Sequence, residues 1–357
     1  MKDPLSLSLH YHISEVNDMP NAIIYVFSGT YHTLKTAEML KNHLEEGHIF
    51  VTIHEVCEPI SHIPAPAEGD IVGFGYPVHA FNAPQLFLRF VSSLPPAQHN
   101  RAFIFKTSGE PFHINDASSY KLYRMLLKKG YDVVQELHML MPYNILRRYP
   151  DGLVKQMVLY SDAQSRMLAM RLLNGERARL HYTLRHRLVS LIFRIEWFGA
   201  WFNGMFYRVD TSKCTRCLKC VHSCPALNIS FDGSRFHFAR SCTMCMRCAM
   251  YCPADAMHIG LLQPFKVNGG YAFSRILADP EIPVDYVNPK TKGYFRLFRK
   301  FFVRADAELA AYGITIPGHT PQPAAEPPEF EVFEAYQQEQ AVGEQEQAGS
   351  AAANLAE

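Results

Sequence analysis

The chain has 357 residues, 48% of them hydrophobic and 12% aromatic, enough for a substantial core and for two domains with tails. It contains no run of 18 or more apolar residues, so no segment is expected to span a bilayer, and the opening MKDPLSLSLHYHISEV lacks the charged and apolar blocks of a secretory leader. All 35 Lys and Arg but only 24 of the 34 acids fall in residues 1–304, giving that stretch +11 ahead of an acidic tail. A solvated surface accounts for this asymmetry, with an acidic or membrane-surface partner as the alternative.

Residues 1–20 read as an N-terminal extension. The run AIIYVF at 22–27 reads as a buried parallel strand, followed by SGTYHT at 28–33. A helix is expected from Thr33 to Glu46, with Ala37, Leu40 and Leu44 on one face and Gly47 as its stop. IFVTIHEV, IVGF, AFIFKT and YDVVQELHML supply four more strands, and APQLFLRFVSSL and SSYKLYRMLLKKG supply helices between them. The alternation predicts an α/β domain over residues 21–176. Its doubly wound parallel five-stranded sheet is closed by a long amphipathic helix ending near Gly175. Ligands in such sheets bind beyond the carboxyl ends of the strands, which singles out the loops after strands one, three and four. Cys57 reads as a buried inert thiol, and His10, His12, His43, His48, His54, His62, His113 and His138, without metal spacing, as surface or satisfied side chains.

Residues 177–208 form a basic, aromatic helical connector, with six arginines against the single acid Glu196. The favoured reading packs its apolar face between two domains; the alternative lays it on a membrane.

Residues 209–262 hold eight of the nine cysteines. CTRCLKCVHSCP at 214–225 and CTMCMRCAMYCP at 242–253 both read C-x2-C-x2-C-x3-C-P, offset by 28 residues. Three closely spaced thiolates wrap one face of an iron-sulfur cube, and the fourth belongs to the other cube. One [4Fe-4S] cluster would therefore take Cys214, Cys217, Cys220 and Cys252, and its partner Cys242, Cys245, Cys248 and Cys224. Zinc ribbons need paired cysteines with a longer spacer, and a disulfide framework needs a secreted context; neither fits. Cluster-loaded thiolates need a reducing compartment, which points to the cytoplasm. Between the motifs, ISFDGSRFHF carries a two-residue hairpin signal at Asp232-Gly233.

Residues 263–317 read as a surface-wrapping segment. It ends in a basic amphipathic helix at 290–304, with Tyr294, Phe298, Phe301 and Phe302 on one side, a docking element for an acidic partner or a membrane. No groove-reading fold accompanies it, so nucleic acid is not expected. Residues 318–357 are Pro-, Gln-, Glu- and Ala-rich and read as a disordered acidic tail, which could cover the basic helix.

Together with the cysteines, three loops make the chain resemble the flavodoxins, and more closely the flavodoxin-ferredoxin fusion proteins (EFR-type ferredoxins), over roughly residues 20–262. Ser28, Gly29, Thr30, Tyr31, His32 and Thr33 resemble the family's phosphate loop, where helix N-terminal amides and hydroxyls hold a phosphate without lysine. The stretch from Gly73 to Pro84, with Tyr76, Pro77, Val78, His79 and Ala80 at its centre, is similar to the loop along one side of the flavin ring. Thr107, Ser108 and Gly109 resemble the loop on the other side, and Met141-Pro142-Tyr143-Asn144 also matches these fusions. Tyr31-His32 replaces the usual Gly-Asn; if the backbone there is ordinary, Tyr31 faces solvent. His32 or His79 could donate to the ring or the phosphate. The resemblance implies a flavodoxin-like sheet followed by a small α+β two-cluster ferredoxin domain, binding FMN and two [4Fe-4S] clusters. The implied function is electron transfer to or from a partner redox protein. The alternatives are a self-contained flavin-dependent reductase of a small molecule such as a quinone, and a ferredoxin whose sheet domain is a docking module without flavin.

Overall fold

The structure, a computed structural model, describes residues 21–321. The chain runs β1 (Asn21–Val26), α1 (His32–Glu46), β2 (Phe50–Glu55), β3 (Ile71–Pro77), α2 (Gln85–Ser93), β4 (Arg101–Ser108), α3 (Tyr120–Lys128), β5 (Asp132–Leu140) and α4 (Asp151–Leu173). The five strands are parallel in the order β2-β1-β3-β4-β5, the flavodoxin-like arrangement. Apolar side chains alternate to both faces of β1. Ala22, Ile24 and Val26 join the core under α1 and α4, while Ile23, Tyr25 and Phe27 join the core under α2 and α3. A strand covered on both faces reads as a continuous apolar run, which is why 22–27 was legible. The order reverses between β1 and β3, so the loops after these two strands flank the crevice where such folds bind ligands.

The connector forms α5 (Leu184–Ile192) and α6 (Ile195–Gly204). The small second domain follows: β6 (Tyr207–Val209), α7 (Lys219–His222), β7 (Ile229–Phe231), β8 (Phe236–Phe238), α8 (Arg247–Met250) and β9 (Met257–Ile259), with β6 paired to β9 and β7 to β8, both antiparallel. Its own core gathers Tyr207, Ile229, Met246, Ala249, Met257 and Ile259. The hairpin differs from its two-residue signal. Phe231 pairs with Phe236, leaving a four-residue loop in which the Asp232 carboxylate accepts from the Ser234 and Arg235 amides. That side-chain turn competes with the tighter one.

After β9 the chain returns to the sheet domain through α9 (Phe273–Ala278) and α10 (Arg299–Ala311). This corrects two expectations. α4 is buried on nearly every side, not amphipathic, because the returning segment covers its outer face: Lys155 Nζ donates to the carbonyls of Asp279 and Ile282, and Gln156 exchanges hydrogen bonds with Val287. The aromatic side of 290–304 is spent on the same contact. Phe298, Phe301 and Phe302 are buried, Phe302 lies 4.6 Å from the Tyr160 ring, and Tyr294 donates to Glu110. An acidic partner or membrane therefore meets no aromatic face there. The connector departs from its favoured reading in the opposite sense, leaving much of its apolar surface in solvent. Residues 1–20 and the tail, apart from its first residues at 318–321, lie outside the described residues.

The C-terminal wrap ends on a charged latch. His319, half-buried with its side chain turned inward, bridges the Asp285 and Asp306 carboxylates and meets the Tyr160 hydroxyl. Burial opposes protonation of His319, but the two carboxylates win and raise its pKa. A raised folded pKa adds stability that is complete below about 6.5 and is lost as pH rises through the folded value. Urea denaturation of the wild type should therefore show stability falling across that window, and His319→Asn should flatten the profile; an unchanged profile would remove the latch from the account.

Candidate redox site

The two cysteine motifs repeat in the backbone as well as in the sequence. Arg216 and Met244, Leu218 and Met246, and Leu227 and Asp255 all take positive φ, each pair 28 residues apart. These left-handed turns let main-chain amides point at sulfur. Arg216 N donates to Cys214 Sγ and Met244 N to Cys242 Sγ, both at 3.4 Å; Asn228 N donates to Cys224 Sγ and Ala256 N to Cys252 Sγ, both at 3.2 Å. Cys214, Cys217, Cys220 and Cys252 line one small cavity with Val209, Phe236 and Met257. Cys248 lies within electrostatic reach of Cys242, Cys245 and Cys224, and more weakly of Cys220 from the first set. Among the described residues, no three His, Cys, Asp or Glu converge on a point where a single ion would sit. Thiols spread around a shared space, with amides donating to sulfur, fit an iron-sulfur cube.

The loop after β1 has two differently used edges. Its carbonyls hold the second domain: Arg247 donates to the carbonyls of Ser28 and Gly29, and Tyr251 Oη to that of Thr30. Among the described residues no acceptor meets the main-chain N–H groups of residues 29–33, although Ser28, Thr30, His32 and Thr33 are all buried. Buried donors of this kind at a helix N-terminus suit an anion. The hydroxyls are positioned too: Thr33 Oγ1 lies 2.8 Å from Thr107 Oγ1 near the end of β4, and Ser28 Oγ accepts from Leu34 N. The residues present thus fit a phosphate group. Gly29 is required by proximity, since a Cβ there would stand 2.5 Å from the Cys245 carbonyl oxygen.

Tyr31 is 36% exposed, but the backbone beneath it is not ordinary. Its φ is 64°, the left-handed value its glycine counterpart would adopt freely, and its ring packs on Tyr251 and under the Arg247 guanidinium, 4.4 Å away. Contacts with the second domain hold a conformation that costs a tyrosine about 1 kcal/mol. His32 faces away from the loop's amides. Its Nδ1 lies 3.0 Å from the Pro142 carbonyl, its ring meets Tyr271 and Phe273, and burial lowers its pKa to about 4. His79 is also pushed down to about 4 by burial. It opens a tight turn closed on Asn82, with Ala80 and Phe81 both at positive φ. Tyr76 is buried and reaches Ser118, while Val78 N donates to the Thr107 carbonyl, joining the two ring-side loops. Gly109 lies flat beneath the Tyr143 ring.

Sequence reading missed two constellations because their members are distant in the chain. The first is Arg247. It is 4% exposed, and besides Ser28 and Gly29 it reaches Glu55 at the end of β2 and the Ser223 carbonyl. The second is a buried polar line. Ser108 Oγ lies 2.7 Å from His138 Nε2; His138 Nδ1 lies 3.2 Å from Asp116 Oδ1; and Asp116 Oδ2 lies 3.3 Å from Nδ1 of exposed His113. Burial lowers the His138 pKa, with Asp116 opposing. Burial alone would raise Asp116, but His113, His138 and Lys106 together hold it well below the usual carboxylate range. Lys106, fully buried in β4, donates to the Asp116 carbonyl and to Ser119 Oγ, and stands 3.5 Å from Glu136.

Arg247→Met would leave three carbonyls and the partly exposed Glu55 without their cation. We expect a loss of about 2–3 kcal/mol in chemical denaturation, below the value for a fully buried pair, together with faster proteolysis of the 177–208 connector. A loss under about 0.5 kcal/mol would show that the two domains are held by packing alone.

A family model described as a 4Fe-4S dicluster domain matches residues 206–259. No curated protein matches the chain. Among solved structures, it is similar to a rubredoxin oxygen:oxidoreductase from the anaerobe Desulfovibrio gigas, at 15% identity and TM-score 0.31, covering 45% of this chain and 38% of that one. The chain thus spans well under half the length of that protein. A short-chain flavodoxin associated with a non-canonical PDU bacterial microcompartment matches at 12% identity and TM-score 0.33, covering 44% of this chain and 99% of that one. General stress protein 14 of Treponema denticola, solved in complex with FMN, matches at 11% identity and TM-score 0.32, covering 44% and 99%. Among the described residues, no helix is long and apolar enough to cross a membrane. Strand order and the cysteine repeat assign the halves: the chain joins a flavodoxin-like domain to a 4Fe-4S dicluster domain.

Proposed function

We propose that this chain is an electron-transfer iron-sulfur flavoprotein. In this reading it holds FMN on the loops after β1, β3 and β4 and two [4Fe-4S] clusters on the eight motif cysteines, and it exchanges electrons with a partner redox protein. One observation carries the reading: the phosphate-type loop and the second cysteine motif are in direct contact, Gly29 against Cys245, with Arg247 tying them together. When bound, a flavin accepts two electrons and releases them singly, and iron-sulfur clusters pass them one at a time. The second motif is the inner one, with Cys245 buried; the first is the outer one, with Cys217 exposed among the exposed Lys213, Arg216 and Lys219. That basic rim suits an acidic redox partner and gives electrons a path between the interior and the surface.

Two-electron chemistry also moves protons, and a buried histidine stands next to the ring-side loop. Asp116 holds His138 by Nδ1, so neutral His138 accepts the Ser108 hydroxyl proton at Nε2. Once protonated, His138 donates to Ser108 Oγ, which turns its own proton to the Glu110 carbonyl 2.6 Å away. Gain or loss of a proton at His138 Nε2 thus reorients the Ser108 hydroxyl at the end of β4, beside the ring position, while Asp116 stays ionised and holds the ring by Nδ1.

Anaerobic preparation should give about eight iron, eight labile sulfide and one FMN per chain. Cys217→Ser should perturb a solvent-accessible cluster and Cys245→Ser an inaccessible one, which paramagnetic broadening of their spectra would separate. Absence of both sulfide and flavin sinks the reading; clusters without flavin leave the ferredoxin alone, with the sheet as its dock. His138→Gln should slow proton-coupled reduction and reduce its solvent isotope effect while cluster reduction by a one-electron donor keeps its rate. Equal slowing of both would assign His138 a structural role only.

A further inference from the structure

Helices α5 and α6 present an apolar stripe that no other described residue covers. Leu184, Leu188, Leu191, Ile195, Phe198 and Phe202 follow one another at alternating spacings of four and three, and each is 39–76% exposed. That spacing places all six on one side of a helical path, the pattern of a face made to be buried. The inward side is already used. Ser190 exchanges hydrogen bonds with Asn82, Trp197 packs against the sheet domain's core, and Asn203 reaches the Ile259 carbonyl. Among the described residues, the outward stripe is left without a partner surface.

Charge selects the occupant. The connector carries Arg177, Arg179, Arg185, Arg187, Arg194 and Arg208 against Glu196 alone. Arg185, Arg187 and Arg208 are exposed, whereas Glu196 is half-buried, with its Oε2 sealed from solvent. A second copy laid on this stripe would bring arginines to arginines with no exposed connector acid to answer them. An anionic lipid surface complements both properties at once: headgroups meet the guanidinium groups, and phenylalanine and leucine enter the acyl boundary. We propose that α5 and α6 form a peripheral membrane-docking surface for anionic phospholipid, independent of whether flavin is bound. Docking has a geometric consequence for electron transfer. A Cβ on Gly204 would stand 2.7 Å from Cys242 Cβ, so α6 rests directly on the second cysteine motif. Membrane contact along the outer side of α6 sets that motif about one helix diameter, ~10 Å, from lipid.

Full-length, cluster-loaded protein is mixed with vesicles of phosphatidylcholine alone and of phosphatidylcholine with phosphatidylglycerol, then sedimented. The wild type should bind the anionic vesicles. The pair Leu191→Asp and Phe198→Asp should weaken binding roughly ten-fold or more, and Arg185→Ser with Arg208→Ser should erase most of the preference for phosphatidylglycerol. An unchanged visible cluster spectrum and circular dichroism establish that each variant is folded, and the solvent-facing positions favour this. Wild-type protein that stays in the supernatant with both vesicle types overturns the proposal. So does a concentration-dependent dimer in sedimentation velocity that the Asp pair disperses, which would assign the stripe to a second copy.

Discussion

The architecture depends on a single guanidinium group. Arg247 sits in the second cysteine motif, yet its acceptors come from three other places: the carbonyls of Ser28 and Gly29 after β1, the Glu55 carboxylate at the end of β2, and the Ser223 carbonyl beside the first motif. A buried cation is tolerable only when its donors are met, and a planar fork of five N–H groups can meet several fixed acceptors together, whereas a lysine ammonium cannot span them. The contact therefore fixes distance and orientation as well as energy. It brings the Cys245 main chain so close to residue 29 that only glycine fits there.

That constraint explains the left-handed tyrosine. A loop of this kind needs a positive φ before its helix, normally supplied by glycine. Here Tyr31 supplies it because the ring has Arg247 and Tyr251 to pack on. Strain in one domain is compensated by contacts in the other, so the conformation of the phosphate-type loop is coupled to docking of the dicluster domain. The same loop keeps its amides for an anion while using its carbonyls as an interface. One short turn thus serves the ligand and the partner domain without competition, because the peptide group has a donor edge and an acceptor edge.

What could be read from sequence follows the range of the interaction. The cysteine repeat was legible because its spacing is local covalent geometry, and its 28-residue offset returns in the backbone as three pairs of left-handed residues. The sheet was legible because parallel strands buried on both faces must be apolar throughout. The Ser108–His138–Asp116 line was not, since His138 and Asp116 are separated from Ser108 by 30 and 8 residues and nothing local marks them as partners. Nor was the end of Tyr31's ring contact, which depends on residues more than two hundred positions away.

The two basic aromatic stretches show the limit most clearly, because periodicity announces an apolar face without naming what will cover it. Residues 290–304 and 184–206 both combine aromatic or aliphatic stripes with arginine or lysine, yet the first is interior and the second exposed. The difference arises in α4. Its residues are apolar on more sides than one sheet can cover, so a second layer is required, and Phe298, Phe301 and Phe302 supply it. No comparable demand exists beside α5 and α6, whose inner sides are satisfied by Asn82, the sheet core and the Ile259 carbonyl. Monomeric proteins rarely leave a long contiguous apolar stripe in water, because its exposure costs stability and invites aggregation. Six such side chains in regular register, on a connector that also exposes Arg185, Arg187 and Arg208, are therefore better understood as a surface shaped by what it meets than as a remnant of folding.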